Sequence, residues 1–357
     1  MTTLSRRLAI AFACLVSAAP VQAQTVVKYG ADFLASGVGA RALGMGGAYV
    51  AHADDVTAGY WNVAGLDAVT RPEAAYMHAE RFDGAVSFDY AAVAYPLTDR
   101  STLAVTLVRS AVNDIANTIE GAYDPVTDTV DPDAVSLFSA ADNVLFVSYA
   151  RGLGDRLAVG ASAKVVRRGV GDFASAWGYS LDVGAQVAVG RVRLGLAVQD
   201  ASFMVQSWSV DQARFEAVPE ESRPQGLTEV VRPLARLGAS TVVPLSEDVG
   251  ITAAADLDLG FDGQRANVLD AGGVSFRPRV GAEIGYRDVL AFRAGIADVA
   301  TSERFGTQLT PSVGAGVRVG AFDVDYGFGD FGGIASDLGF AHRVSLSYRF
   351  GAERLAP

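Results

Sequence analysis

From about residue 72 to near the C-terminus, apolar and polar residues alternate with a period of two, segment after segment. That period marks a strand whose two faces meet different surroundings. In the clearest segment, Trp177, Tyr179, Leu181, Val183, Ala185, Val187 and Val189 alternate with Gly178, Ser180, Asp182, Gly184, Gln186 and Ala188. Likewise Val280, Ala282, Ile284 and Tyr286 stand against Arg279, Gly281, Glu283 and Arg287, and Val344, Leu346, Tyr348 and Phe350 against Arg343, Ser345, Ser347 and Arg349. About fourteen such strands are predicted, at 72–80, 85–96, 101–111, 143–153, 156–168, 176–190, 191–200, 234–245, 249–260, 278–287, 289–298, 311–319, 321–328 and 340–350. Most are about ten residues long, the length a tilted strand needs to cross a bilayer, and an even count suits a closed antiparallel barrel.

Alternation by itself does not say which face is outside, since a soluble sandwich alternates with its oily face inward. The connections decide it. Tight turns (97–100, 154–155, 190–191, 246–248, 287–289, 320–321) alternate with mostly longer loops (112–142, 169–175, 201–233, 261–277, 299–310, 329–339), so the long loops gather at one end, as in outer-membrane barrels. Trp177, Tyr149, Tyr286, Phe322 and Tyr348 lie on the oily face near strand ends, where interfacial girdles form. Tyr348 and Phe350 close the last strand and read as a C-terminal assembly signal, followed by the tail "GAERLAP". Closure leaves no strand edge unpaired in lipid.

Before the strands, Arg6 and Arg7, an apolar run from Leu8 to Ala19 and the small-x-small site Val21-Gln22-Ala23 predict a secretory signal peptide over 1–23, too short to be a membrane anchor. The single cysteine, Cys14, falls within it, so the mature chain uses no disulfide. The leader takes two arginines and no acids from a net charge of −11, leaving −13, which argues against nucleic acid as a partner. The expected division is a plug segment over 24–70, the barrel over 71–350 and a tail over 351–357.

The stretch "GVGARALGMGGAYVAHADDVTAGYWNVAGLD" (37–67) has the glycines of a phosphate loop without its flanking strand, long helix or Walker lysine. Placed before the first strand, it is expected to begin on the periplasmic side and enter the lumen as a plug, its small residues packing on the wall. Asp54 and Asp55 would cap a helix or pair with lumen arginines. Asn62, Ala64 and Gly65 would turn the chain into the first strand.

Gly39-Ala40-Arg41, Leu43-Gly44-Met45-Gly46-Gly47, Ala53-Asp54-Asp55 and Tyr60-Trp61-Asn62 with Ala64-Gly65-Leu66 carry a resemblance to the FadL-like superfamily of fourteen-stranded outer-membrane barrels, and more closely to its PorV/PorQ-type branch. The family commonly has Asn-Pro-Ala where this chain has Asn62-Val63-Ala64. The resemblance implies an all-β transmembrane antiparallel barrel of about 14 strands with an N-terminal plug (hatch) in the lumen, in the outer membrane. It implies transport across that membrane, namely uptake of a hydrophobic small molecule. The alternative it implies is a type IX secretion accessory that escorts or docks cargo, with secretion-system proteins as partners. The uptake scheme of the family uses a kinked third strand as a side exit, yet "STLAVTLVRSAV" (101–112) holds neither Gly nor Pro.

Chemistry finds little footing. The histidines are His52, His78 and His342, no G-x-S-x-G occurs, and Ser162 and Lys164 read as wall residues. Asp124, Asp128, Asp131 and Asp133 lack the glycine and final glutamate of an EF-hand loop and read as a solvated loop. No enzyme activity, cofactor or metal is expected. Glu283 with Arg293, and Arg318 with Asp323, fall opposite each other across turns and predict charge pairs in a polar lumen.

Overall fold

The computed structural model describes residues 25–26, 32–82, 84–117, 123–124, 127, 129–216, 218–261, 269–271, 273–302, 306–330 and 340–353. The leader with Cys14, Asp128 and the end of the tail lie outside the described residues.

Fourteen spanning strands form one sheet closed on itself. They are β1 (Glu73–Arg81), β2 (Val86–Thr98), β3 (Ser101–Asn117), β4 (Ser136–Leu153), β5 (Leu157–Val170) and β6 (Ala174–Val189). Two strands then run in two pieces each, β7 (Val192–Gln199 and Met204–Val210) and β8 (Thr228–Val231 and Leu234–Pro244). The rest are β9 (Val249–Gly260), β10 (Val274–Tyr286), β11 (Leu290–Ser302), β12 (Gly306–Val319), β13 (Phe322–Asp330) and β14 (Phe340–Arg349). Each pairs antiparallel with its sequence neighbours, and β14 pairs with β1 from Glu73↔Arg349 to Glu80↔His342, which closes the ring.

The alternation sorts the side chains as its period requires. Trp177, Tyr179, Leu181 and Val183 are exposed on the outer surface, while Gly178, Ser180 and Asp182 between them are buried. The girdle aromatics Tyr149, Tyr286, Phe322 and Tyr348 also face outward, and Phe322 stacks on Tyr348 with ring centres 4.6 Å apart. Phe350, just past β14, stacks on Tyr348 and donates its N–H to the Pro72 carbonyl.

The structure corrects the predicted loops at the end opposite the tight turns, here called the outer end. Strands β3 and β4 run on to Asn117 and from Ser136, β5 and β6 are joined across only 171–173, and β11 and β12 extend to Ser302 and from Gly306. Beyond the membrane both faces meet water, so pairing persists while the alternation that reveals it in sequence fades. Within the predicted loop 201–233 lie the outer pieces of β7 and β8. The break in β7 is a bulge in which Asp200 (φ 54°) and Phe203 (φ 60°) adopt left-handed backbone. It is held by Asp200 N–H to Asp182 Oδ1 (2.7 Å) and Ala201 N–H to the Leu181 carbonyl (2.7 Å). The third strand is unbroken over 101–112; its one irregularity against β4 comes beyond, between Val112 and Ile115, with Asp114 at φ 56°.

Inside the ring sit α1 (Asp32–Ala35), α2 (Ala40–Gly44), α3 (Ala58–Trp61) and a 3-10 helix (Val63–Ala68). The chain does not enter from the inner end as expected. Thr25–Val26 pair in parallel with Glu229–Val230 of the outer piece of β8, so the plug descends from the outer end toward β1.

Candidate functional site: the plugged lumen

Helices of four or five residues are too short to stand alone, and the plug takes its shape from the wall. Its backbone polar groups, buried away from water, need partners, and wall side chains supply them. Ala40 N–H donates to Ser345 Oγ (2.8 Å), Gly46 N–H to Ser312 Oγ (3.1 Å), and Tyr49 and Val50 N–H both to Asp256 Oδ2 (2.7 and 2.8 Å). Gln186 Nε2 donates to the Val50 and Ala53 carbonyls (3.1 and 3.0 Å). Asn62 donates from Nδ2 to the Val50 and Ala185 carbonyls and accepts at Oδ1 from Ala64 N–H, capping the 3-10 helix. Trp61 Nε1 donates to the Val38 carbonyl (2.9 Å).

The glycines let two backbones meet. At Gly46 (φ +64°) a Cβ would lie 2.7 Å from the Ile296 nitrogen, and opposite it Gly295 faces the Gly46 backbone as closely. Gly44 meets the Gly314 backbone of β12, Gly47 faces the Arg279 side chain, and Gly39 (φ +84°) precedes α2, where a Cβ would have only Thr57 of the plug near it; a Cβ at Gly65 would strike the Ala53 carbonyl. Wall glycines such as Gly184, which meets Asn62, are the other half of this fit and read in the sequence only as small residues on an inward face.

At the inner end of the plug lies a charged cluster. Arg41 Nη1 pairs with Asp54 (2.9 Å) and Asp55 (3.4 Å), and its Nε with Glu283 of β10 (3.3 Å). Among the described residues the two aspartates form their ion pairs with the plug's own arginine rather than with arginines of the wall; the anchor runs from Arg41 to a wall acid. Asp55 also accepts from Thr57 N–H (2.8 Å) and Tyr49 Oη (2.8 Å). Glu283 meets Arg293 (2.5 Å), which reaches Asp325 (2.6 Å). Arg318 and Asp323 pair (2.6 Å) at the more exposed inner rim, where Asp323 is shared with Arg349. Arg41 Nη2 lies 2.7 Å from His52 Nε2, and since a guanidinium only donates, that nitrogen must be the unprotonated acceptor. Burial and then the Arg41 charge hold the His52 imidazole below its ordinary range, which keeps it neutral. Burial would raise the Asp54 carboxyl, but Arg41, His52 and Arg193 together bring it below its ordinary value.

Several interior groups had weaker sequence signals. Lys164 of β5 is buried between Asp182 (3.1 Å) and Asp200 (2.6 Å), and Asp258 lies between Arg236 (3.5 Å) and Arg279 (2.9 Å). Inward parity was legible for Lys164, Asp182 and Asp258; Asp200 has the outward parity of Val198 and is turned inward only by the bulge in β7, and the partners of all four depend on register across separate strands. Outside the barrel wall, Asp131 caps a short 3-10 turn by accepting from Asp133 N–H.

The plug separates two cavities. On the inner side is a charged vestibule of about 370 Å³ between Arg41, Asp54, Glu283, Arg293, Asp323 and Arg349. On the outer side a cavity of about 470 Å³ has Leu43, Gly46, Gly47 and Trp61 against it from the plug, apolar walls from Phe33, Phe82, Val86 and Val112, and the guanidinium-bearing Arg81, Arg279 and Arg343. Arg343 is buried; its Nη atoms donate to the Gly37 and Ser36 carbonyls, and among the described residues no carboxylate pairs with it.

No family model matches the chain, and no curated protein matches its sequence. Solved structures do match its fold. The P. putida toluene transporter TodX aligns with a TM-score of 0.56 at 12% identity, covering 89% of this chain and 99% of that one. The Ralstonia pickettii toluene transporter TbuX aligns with a TM-score of 0.51 at 13% identity, covering 88% and 99%. A Pseudomonas aeruginosa FadL homologue gives 0.51 at 14% identity, covering 88% and 98%. At such identities the likeness is one of fold: a fourteen-stranded antiparallel barrel that resembles the FadL-like transporter structures.

Proposed function

We propose that this protein sits in the outer membrane and admits hydrophobic small molecules, which dock in the outer cavity before the plug yields. The observation that carries this reading is the cavity itself: about 470 Å³, within the usual size of a ligand site, apolar on several sides and closed beneath by Trp61 and Leu43. A buried guanidinium without a carboxylate partner, at Arg343, favours ligands whose apolar body carries an acidic or polar end. The solved barrels that resemble this one include two described as toluene transporters, which supports the same class.

The test is uptake of labelled toluene and of a labelled long-chain carboxylate by cells producing the protein. Filling the cavity with Val112→Trp should slow uptake about tenfold, as loss of an oriented docking step does, while Ala185→Trp on the lipid face leaves it unchanged. Equal uptake by cavity-filled and unaltered protein would remove the cavity from the route.

A second reading, a PorV/PorQ-type accessory of type IX secretion, draws on the 39–66 motif and on the protruding outer rim, where β3 and β4 extend beyond the span and two 3-10 turns (Gln212–Phe215 and Glu220–Ser222) lie between β7 and β8. It predicts secreted protein cargo co-purifying from the native membrane and no change in uptake on filling the cavity.

A further inference from the structure

The outward faces of β3 to β7 carry three successive cross-strand rows of distinct chemistry. The row nearer the middle of the wall is Leu107, Leu145, Val165, Tyr179 and Val205, all apolar or aromatic. The next toward the outer end is Arg109, Asn143, Arg167, Trp177 and Ser207. Beyond it come only small residues, Ala111, Ala141, Gly169, Ser175 and Ser209. The change from the first row to the second is where hydrocarbon gives way to head groups, as Trp177 at that level also indicates.

Among the described residues, neither arginine of that row has a carboxylate within ion-pair distance. Arg109 Nη1 donates to Asn143 Oδ1 (3.0 Å). Asp89 is its directly opposed neighbour on β2, but the Oδ1 of Asp89 accepts from Tyr76 Oη (2.7 Å) and meets His78 Nδ1 (2.8 Å), and no ion pair joins it to Arg109. Arg167 lies over the Trp177 ring at 5.1 Å and its Nη1 donates to the Arg168 and Ala176 carbonyls (3.0 and 3.3 Å). At the inner end Arg71, Arg100, Arg287 and Arg318 each have a carboxylate within ion-pair distance, whereas Arg151, without one among the described residues, has no second arginine or row of small residues beside it on the outward face. Arg109 and Arg167 stand two strand spacings apart, about 10 Å; above Arg109 the small Ala111 is buried, while Ala141, Gly169, Ser175 and Ser209 are half-buried or exposed and leave room for a head group above Arg167.

We infer that this face binds a phosphorylated glycolipid of the outer leaflet, its phosphate held by Arg109 and Arg167, its sugar over the small-residue row and its acyl chains along Leu107, Leu145 and Tyr179. Guanidinium–phosphate hydrogen bonds are charge-assisted and strengthen at the edge of hydrocarbon, where water is scarce. The inference rests on the outer-membrane placement and is independent of any transport role.

Native mass spectrometry of the full chain in mild detergent tests it, with lipid A added as the probe and dephosphorylated lipid A and phosphatidylglycerol as comparisons. Lipid A adducts should form on the unaltered protein and fall about tenfold in the double variant Arg109→Gln/Arg167→Gln. Arg151→Gln, an outward arginine near the inner end, should leave them unchanged. Heat-dependent gel mobility checks that each variant is a closed barrel. Equal binding of dephosphorylated lipid A, equal displacement by phosphatidylglycerol, or the same loss in Arg151→Gln would each overturn the site.

Discussion

Strands β1–β5 and strands β8–β14 face the same plug across one lumen, yet hold it by different means. On the first side Met77, Phe88, Tyr90, Val108, Val144, Phe146 and Val166 point inward and form one buried cluster with Leu34, Tyr60, Trp61 and Leu66 of the plug. On the second the inward side chains include Arg236, Asp256, Asp258, Arg279, Glu283, Arg293, Asp325 and Arg343, interleaved with glycines that touch plug backbone. Apolar contact is non-directional and resists water, whereas charge pairs and backbone hydrogen bonds fix orientation and exchange readily with water once separated. The apolar side therefore acts as the seat of the plug and the charged side as its latch, the side along which water would first enter if the plug shifted.

The largest effect should come from the seat. Phe146→Ala removes a ring that meets Tyr60 edge-on at 6.1 Å, and should cost about 3–5 kcal/mol in denaturant unfolding from detergent. An equally large loss of plug seating from a single latch residue would erase the distinction between the two sides. Deleting 37–66 sharpens it further: single-channel conductance in planar bilayers should rise well above that of the full chain, since the charged wall accepts water. Unchanged conductance would mean the plug does not limit the path.

A smaller effect is expected at the latch. Glu283→Gln leaves Arg41 with Asp54 and Asp55 but unlinked from the wall, at about 1–3 kcal/mol, and should increase brief openings while lowering the unfolding midpoint less than Phe146→Ala does. The latch should also respond to acid. The His52 imidazole is held below its ordinary 6.5 by burial and by Arg41, so the released plug binds a proton more readily than the seated one. Its contribution is present above about pH 6.5 and is lost as the pH falls through the lowered value of the seated state, while Asp54, also held low, keeps its charge longer. Openings should become more frequent on acidification, and His52→Gln should flatten that response. Least of all, Arg318→Ala at the solvated rim should change stability by under about 1 kcal/mol.

The same two sides explain how far the sequence could be read. Strand positions, inward or outward parity and the cross-strand pairs Glu283↔Arg293 and Arg318↔Asp323 follow from a strict period and short turns, because local geometry dictates them. The inward apolar residues of β1–β5 left no such mark, since with both faces apolar the contrast that reveals a lumen is weak. Nor did the partners of Arg41, which come from a wall strand more than two hundred residues away and from its own loop.

By itself the sequence determined a barrel of about fourteen strands, its lipid-facing rows and a glycine-rich segment before the first strand, because lipid demands paired strands and a period of two. Only the tertiary structure decided that the plug descends from the outer end, that Asp54 and Asp55 meet Arg41 instead of the wall, and that two cavities of opposite character lie on either side of it. The physical reason is that a segment of four- and five-residue helices has no stable shape of its own; its conformation is the one in which its buried polar groups find partners on distant strands.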